Sequence, residues 1–157
     1  MTAYNRAIEC LARAPKSTKG LTRWLLDREY TPEDVAAAIE KLTARGLLND
    51  AQFALLFTRS RALNRGQSRL RIQLELAKRG IARDLVDAAI NEVMSDEGFD
   101  ERAMVESAAA KKFRSLAKLE PEVQKRRLYG FLARKGYPSA LVRDAVYKLT
   151  RTSQLAE

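Results

Sequence analysis

Three carboxylate pairs, Glu33-Asp34, Asp96-Glu97 and Asp100-Glu101, are the residues best suited by type and spacing to general acid–base work or to holding Mg²⁺. Each pair stands just before or at the start of a segment with helical apolar spacing. There an acidic side chain complements the partial positive charge of a helix N-terminus, so a structural role is the expectation. The chain has no histidine, which removes the side chain that titrates nearest neutrality and the commonest transition-metal ligand. Its seven glycines are isolated, and neither GxxxxGK[ST] nor GxGxxG occurs, so no nucleotide cradle is expected. The single cysteine, Cys10 in Ile8-Glu9-Cys10-Leu11, has no internal disulfide partner and reads as a small core residue. The expectation is a protein that is not an enzyme, with no catalytic residue, no metal, no cofactor and no small-molecule substrate.

Charge is the remaining chemical signal. Across 157 residues, 29 Lys+Arg face 20 Asp+Glu, a formal net charge of +9 that favours an anionic partner. The excess is uneven, at +2 over residues 1–48, +1 over 49–98 and +6 over 99–157. Residues 59–83 hold eight basic side chains and one acid, Glu75; residues 111–135 hold nine basic side chains against Glu120 and Glu122. Each window is therefore +7. Nineteen of the cations are arginine, whose planar fork suits phosphate and carboxylate alike. No apolar run approaches the roughly 20 residues that cross a bilayer, and residues 1–6 lack a basic flank followed by an apolar stretch, so a cytoplasmic protein with no membrane partner is expected.

The elements that must carry these charges emerge from an internal repeat. Leu21-x2-Trp24-Leu25-Leu26-x-Arg28-x-Tyr30 recurs as Ile72-x2-Glu75-Leu76-Ala77-x-Arg79-Gly80-Ile81 and as Leu128-x2-Phe131-Leu132-Ala133-x-Lys135-Gly136-Tyr137. Downstream, Val35, Ala38, Ile39 and Leu42 match Val86, Ala89, Ile90 and Val93, then Val142, Ala145, Val146 and Leu149. A unit of this length with period-3.6 spacing accommodates three short helices. Thr31-Pro32-Glu33-Asp34 is a helix start, Asn49-Asp50 plays a similar part, and Gly46, Gly66, Gly80 and Gly136 fall where helices should stop.

Nine helices are expected, near residues 3–14, 18–28, 32–44, 50–63, 67–79, 82–95, 100–115, 121–134 and 138–150. Residues 70–76 alternate strictly between apolar and polar, which by itself argues for a strand, but the two sister segments have helical spacing and the repeat decides for helix. Leu70 and Leu74 then become extra apolar positions expected to pack on a neighbouring unit. The fold class is all-α, with three tandem three-helix repeats forming an elongated, curved right-to-left stacked array. The repeats are placed at 1–48, 49–98 and 99–151, followed by a tail at 152–157, with Asp96-Glu97-Gly98 as a candidate hinge.

Asn49-Asp50-x2-Phe53-Ala54-x2-Phe57-x3-Arg61, then Gly66-x4-Arg71-Ile72-x2-Glu75-Leu76-x2-Arg79-Gly80-Ile81, then Phe131-Leu132-x2-Lys135-Gly136-Tyr137, resemble the RecX regulatory family over nearly the whole chain. The first repeat departs from the family pattern. It has Ser17-x2-Gly20-Leu21 where a Ser-x2-Glu-Leu helix start is usual, and Asn49-Asp50 where an acidic pair is usual. Gly20 weakens that helix by roughly 1 kcal/mol relative to alanine. The resemblance implies an all-helical modulator of the RecA recombinase that lies along the RecA–DNA filament, bridges protomers and interferes with ATP hydrolysis, strand exchange and co-protease activity. Those activities belong to DNA repair, the SOS response and homologous recombination.

The filament- or DNA-binding residues expected on this reading are Arg59, Arg65, Arg69, Arg71, Lys78 and Arg79 in the middle repeat, with Lys111, Lys112, Arg114, Lys125, Arg126 and Arg127 in the last. Single-stranded DNA contacted through its backbone is a further candidate partner. No helix carries the Asn, Gln and Arg cluster that reads base edges, and Trp24 and Phe131 share one repeat position, which argues for core rather than base stacking. The rival readings are a stand-alone nucleic-acid-binding helical protein without sequence specificity, and a scaffold whose charge serves only solubility.

Overall fold

The computed structural model describes residues 1–96 and 100–155, with the side chains of all but residues 96 and 152–155. Among the described residues the regular structure is entirely helical: α1 Ala3–Arg13, α2 Thr18–Leu26, α3 Pro32–Ala44, α4 Asp50–Arg59, α5 Arg69–Lys78, α6 Arg83–Asp96, α7 Glu101–Ser115, α8 Pro121–Arg134 and α9 Ser139–Leu155. No helix among them is long and apolar enough to cross a membrane. Residues 97–99, which include most of the expected hinge, and residues 156–157 of the expected tail lie outside the described residues.

Local chemistry sets the helix starts. Thr2, Ser17 and Thr31 have extended backbones, and their side chains accept hydrogen bonds from the amides of Asn5, Gly20 and Asp34. Asn49 accepts from the Gln52 amide, while Asp50 accepts from the Thr18 amide at 2.7 Å and so ties the start of α4 to the start of α2. Gly46, Gly66, Gly80 and Gly136 all have positive φ after a helix, as their sequence positions suggest. Near residue 60 the helical expectation needs revision. The segment predicted as one helix to residue 63 ends as α-helix at Arg59 and continues as a π-helical turn, Ser60–Asn64.

The chain forms two compact units, Met1–Thr58 with Leu74–Asn91, and Arg59–Gln73 with Glu92–Glu157. In the first, α1 and α2 pack on α3 around Ala7, Cys10, Leu21, Leu25, Val35, Leu42 and Leu48. In the second, α7 and α8 pack on α9 around Val105, Ala109, Leu116, Leu128, Leu132, Val142 and Val146. Leu26, Ala77 and Ala133 of the repeat motif are exposed, whereas at two other positions of the register burial is complete: Leu21, Ile72 and Leu128 are fully buried, as are Leu25, Leu76 and Leu132. Truncating any of these to alanine should cost about 2–5 kcal/mol.

Residues 70–76 are helical, within α5. Leu70 and Leu74, expected to pack on a neighbouring unit, are 54% and 53% exposed. Residues two apart on a helix point about 200° from each other, so the buried Ile72 and Leu76 turn these two leucines outward.

Candidate functional site

In every repeat the second helix is followed by a cation that reaches back four residues, the spacing that stacks side chains on one helix face. The Arg28 guanidinium lies 3.6 Å from the Trp24 ring centroid, and Arg28 Nη1 donates to the Trp24 carbonyl. Arg79 Nη1 donates to the Glu75 carbonyl and pairs with the Glu75 carboxylate at 3.7 Å, and its guanidinium also covers Phe57. Lys135 lies 5.2 Å from the Phe131 centroid, but its Nζ donates instead to the carbonyl of Arg65 at 3.0 Å, in the turn that follows the π-helical segment. Trp24 and Phe131 are half-buried against their cores, as the repeat position suggests.

That change of direction by Lys135 helps to form a basic cleft of about 440 Å³ in the second unit. Along α7, Ser107, Lys111 and Ser115 recur at every fourth residue, and Lys112 stands beside Lys111, so one face of one helix lines a wall. The opposite wall is Phe131 and Lys135 of α8 and its C-cap, and the rim comes from the end of the π-helical turn and from Arg65 and Gly66. The Gly66 turn is held by Tyr137, whose hydroxyl donates to the Gly66 carbonyl. Burial, and secondarily Glu101, push the Tyr137 pKa up to about 12.

Among the described residues, four cations, Arg65, Lys111, Lys112 and Lys135, line this cleft, and no carboxylate does. Lys112 lies 5.0 Å from the same Phe131 ring that Lys135 approaches. Burial, and next the charge of Lys111, hold the Lys135 ammonium below the ordinary lysine range. The like charges raise one another's energy, and an anion placed among them relieves this.

The sequence-predicted residues are distributed around this feature unequally. Arg65, Lys111 and Lys112 line the cleft. Lys112, Arg114 and Arg127 meet with Lys118 around an adjacent depression, and Lys125 lines a third hollow with Tyr147 and Arg151. Arg126 is exposed on α8. Arg69 and Arg71 are exposed at the start of α5, where the Arg69 amide donates to Glu101 and the Arg71 amide to Ser68 Oγ. Arg59 is half-buried at the end of α4, Lys78 is exposed at the end of α5, and Arg79 is engaged with Glu75 and Phe57. Sequence reasoning overlooked Lys135 and Lys118 as site residues. The signal for Lys135 was present, because it occupies the repeat position of Arg28 and Arg79.

Comparison with known proteins gives a single answer along the chain. Residues 3–42, 49–90 and 100–146 match the family domains described as RecX first, second and third three-helix domain. The regulatory protein RecX of Chromohalobacter salexigens is 36% identical over 145 residues, covering 92% of this chain and 91% of the relative. That of Pelodictyon phaeoclathratiforme is 31% identical over 92% of this chain and 86% of its own. The crystal structure of RecX from Lactobacillus salivarius superposes with a TM-score of 0.74 at 19% identity, covering 94% of each chain, and a second crystal structure of a regulatory protein RecX gives 0.77 at 19% identity. These structural likenesses carry the fold, and the domain matches with the sequence relatives carry the lineage: the chain belongs to the RecX family of regulatory proteins.

Proposed function

We propose that this chain is a cytoplasmic, non-enzymatic regulator that binds the RecA–DNA filament and lowers RecA's ATP hydrolysis, strand exchange and co-protease activity. Its place would then be in DNA repair, the SOS response and homologous recombination. Membership of a family of regulatory proteins supports the reading, and the observation that carries it furthest is the cleft in which four cations converge with no carboxylate beside them among the described residues. The contacts are spread over the repeats at 1–48, 49–98 and 99–151. Their basic residues, from Arg59, Arg65, Arg69, Arg71, Lys78 and Arg79 to Lys111, Lys112, Arg114, Lys125, Arg126 and Arg127, give several modest contacts whose effective concentration multiplies once the first forms.

The mechanism needs no cofactor. A bound chain holds neighbouring protomers or the DNA against the changes that accompany ATP turnover, and the energy comes from charge neutralisation and counterion release. The test is RecA's DNA-dependent ATPase with increasing amounts of this chain. Inhibition that weakens in a Lys111→Glu/Arg114→Glu variant, and weakens much more when Arg71→Glu is added, is the expected outcome. Hydrolysis unaffected at saturating concentrations would remove the proposal.

The cleft also favours a second reading, direct contact with bare single-stranded DNA. A simple DNA binder prefers naked strands with a steep salt slope, whereas a filament regulator prefers RecA-coated DNA.

A further inference from the structure

Part of the wall beside Phe131 is lent to the third repeat by the repeat before it. The turn Asn64-Arg65-Gly66 sits there, and its main chain is held at both carbonyls. Lys135 Nζ donates to the Arg65 carbonyl at 3.0 Å and the Tyr137 hydroxyl to the Gly66 carbonyl, while Ser68 returns a bond to the Lys135 carbonyl. The face formed by α7 and the end of α8 thus receives a polypeptide turn.

The first repeat has the same face. One offset carries the buried Ala3 and Ala7 of α1 onto the buried Val105 and Ala109 of α7, and with them Glu9, Cys10 and Arg13 onto Lys111, Lys112 and Ser115. The repeat register carries Trp24 and Arg28 onto Phe131 and Lys135. All five of these first-repeat residues line one hollow of about 290 Å³. Its remaining wall, Arg6, Ala14 and Lys16, also belongs to the first repeat, so the place taken by Asn64–Gly66 in the third repeat is open to a partner. Arg28, at the position of Lys135, is folded back onto Trp24 and donates to the Trp24 carbonyl at 3.2 Å.

Charge narrows what fits. Glu9 pairs with Arg6 at 3.3 Å, while Arg13 and Lys16 have no carboxylate partner among the described residues. A polypeptide brings its carboxylates singly and can set them on Arg13 and Lys16 clear of Glu9. A run of phosphates would meet Glu9 where the third repeat offers Lys111, and the Trp24 ring, covered by Arg28, is closed to a stacking base. We propose that the hollow around Trp24 is a docking socket for an acidic turn of a partner protein. Arg13 and Lys16 take its carboxylates, and Arg28 exchanges the Trp24 carbonyl for a carbonyl of the turn, the kind of bond Lys135 makes to Arg65. The inference goes beyond the filament reading and rests on the repeat geometry.

Trp24 is the only tryptophan of the chain, so its fluorescence reads this hollow. The experiment titrates the full chain, without RecA and at low salt, with the end-blocked peptide Glu-Asp-Asn-Gly-Asp-Glu. A saturable change in Trp24 emission is expected, and the same peptide with amides in place of its acids should leave the emission unchanged. Arg13→Gln/Lys16→Gln should raise the peptide concentration required by about tenfold or more, and Arg13→Lys/Lys16→Arg should restore it. Arg83→Gln/Arg143→Gln removes the same charge from exposed positions elsewhere and should shift the requirement less than about threefold. No saturable change, or equal weakening in the two glutamine pairs, overturns the proposal.

Two further titrations separate the occupants. Oligothymidylate should displace the peptide poorly, and the emission of the chain alone should not change on dilution. Oligothymidylate that moves Trp24 emission at lower concentrations than the peptide does would make the hollow a nucleic-acid surface. A dilution-dependent emission that Arg13→Gln/Lys16→Gln abolishes would make the occupant a second copy of this chain; either result overturns the assignment. Wild-type chain that inhibits RecA's ATP hydrolysis but gives no peptide response contradicts the socket alone, and the converse result contradicts the filament reading alone.

Discussion

The Ser17 hydroxyl donates to the carbonyl of Arg79 at 2.8 Å, across 62 residues, while the same oxygen accepts from the Gly20 amide to cap α2. Ser68 repeats the arrangement one module later, donating to the Lys135 carbonyl at 3.0 Å and accepting from the Arg71 amide. Both serines are buried. One side chain thus starts the second helix of its own repeat and closes the end of the second helix of the next. Ser17→Ala and Ser68→Ala should each lower stability by about 1–2 kcal/mol, the sum of a missing cap and an unsatisfied carbonyl. Urea unfolding measures this, and a change below about 0.3 kcal/mol in both would show that neither bond contributes.

The glycine after each of those helix ends is fixed by the same approach of the serine's helix. Gly80 and Gly136 have φ of 76° and 86°, and a Cβ on them would lie 2.7 Å from Lys19 Cβ and 2.8 Å from Ser68 Oγ. The first repeat has Glu29 at the equivalent place, with φ 67°. A non-glycine residue in that region is strained by roughly 1–2 kcal/mol. Glu29→Gly should therefore raise stability by about 0.5–1 kcal/mol after the extra chain entropy of glycine is subtracted. Gly136→Ala should lower it by more than about 2 kcal/mol, because strain and collision add. Thermal unfolding of the two variants should shift in opposite directions.

Tyr137 gives the pH dependence. Its folded pKa of about 12 lies above the ordinary tyrosine value of 10, so the native state favours the neutral phenol. The stabilisation is whole below pH 10 and is lost as pH rises from 10 towards 12, reaching on the order of 2 kcal/mol. Tyr137→Phe loses the bond to Gly66 and should be less stable by about 1 kcal/mol at pH 8. Its deficit should shrink above about pH 10, and a deficit constant from about pH 8 to 11.5 would contradict the assignment.

The helical class and the threefold register were legible because burial imposes a 3.6-residue period, and Leu21, Ile72 and Leu128 obey it without exception. The same rule arbitrated correctly over residues 70–76, where strict alternation alone suggested a strand. What escaped has no local period. The Ser17–Arg79 and Ser68–Lys135 bonds join residues 62 and 67 apart, and a capping serine looks the same whether or not its hydroxyl reaches a second helix. The π-helical turn at Ser60–Asn64 has no distinct composition. The exposure of Leu70 and Leu74 follows from the face of α5 that each side chain takes, which an apolar count does not give. Counting charge located the basic windows, but it could not show that Arg79 is turned onto Glu75 and Phe57 while Lys135 is turned into a cleft.

The most direct measurement is the rate of DNA-dependent ATP hydrolysis by preformed RecA filaments titrated with wild-type chain and with Lys111→Gln/Lys112→Gln. The predicted result is dose-dependent inhibition by the wild type and at least about a tenfold higher concentration requirement for the variant, the equivalent of roughly 1.4 kcal/mol of binding. Hydrolysis that continues unchanged at saturating wild-type chain, or a folded variant as inhibitory as the wild type, would contradict it.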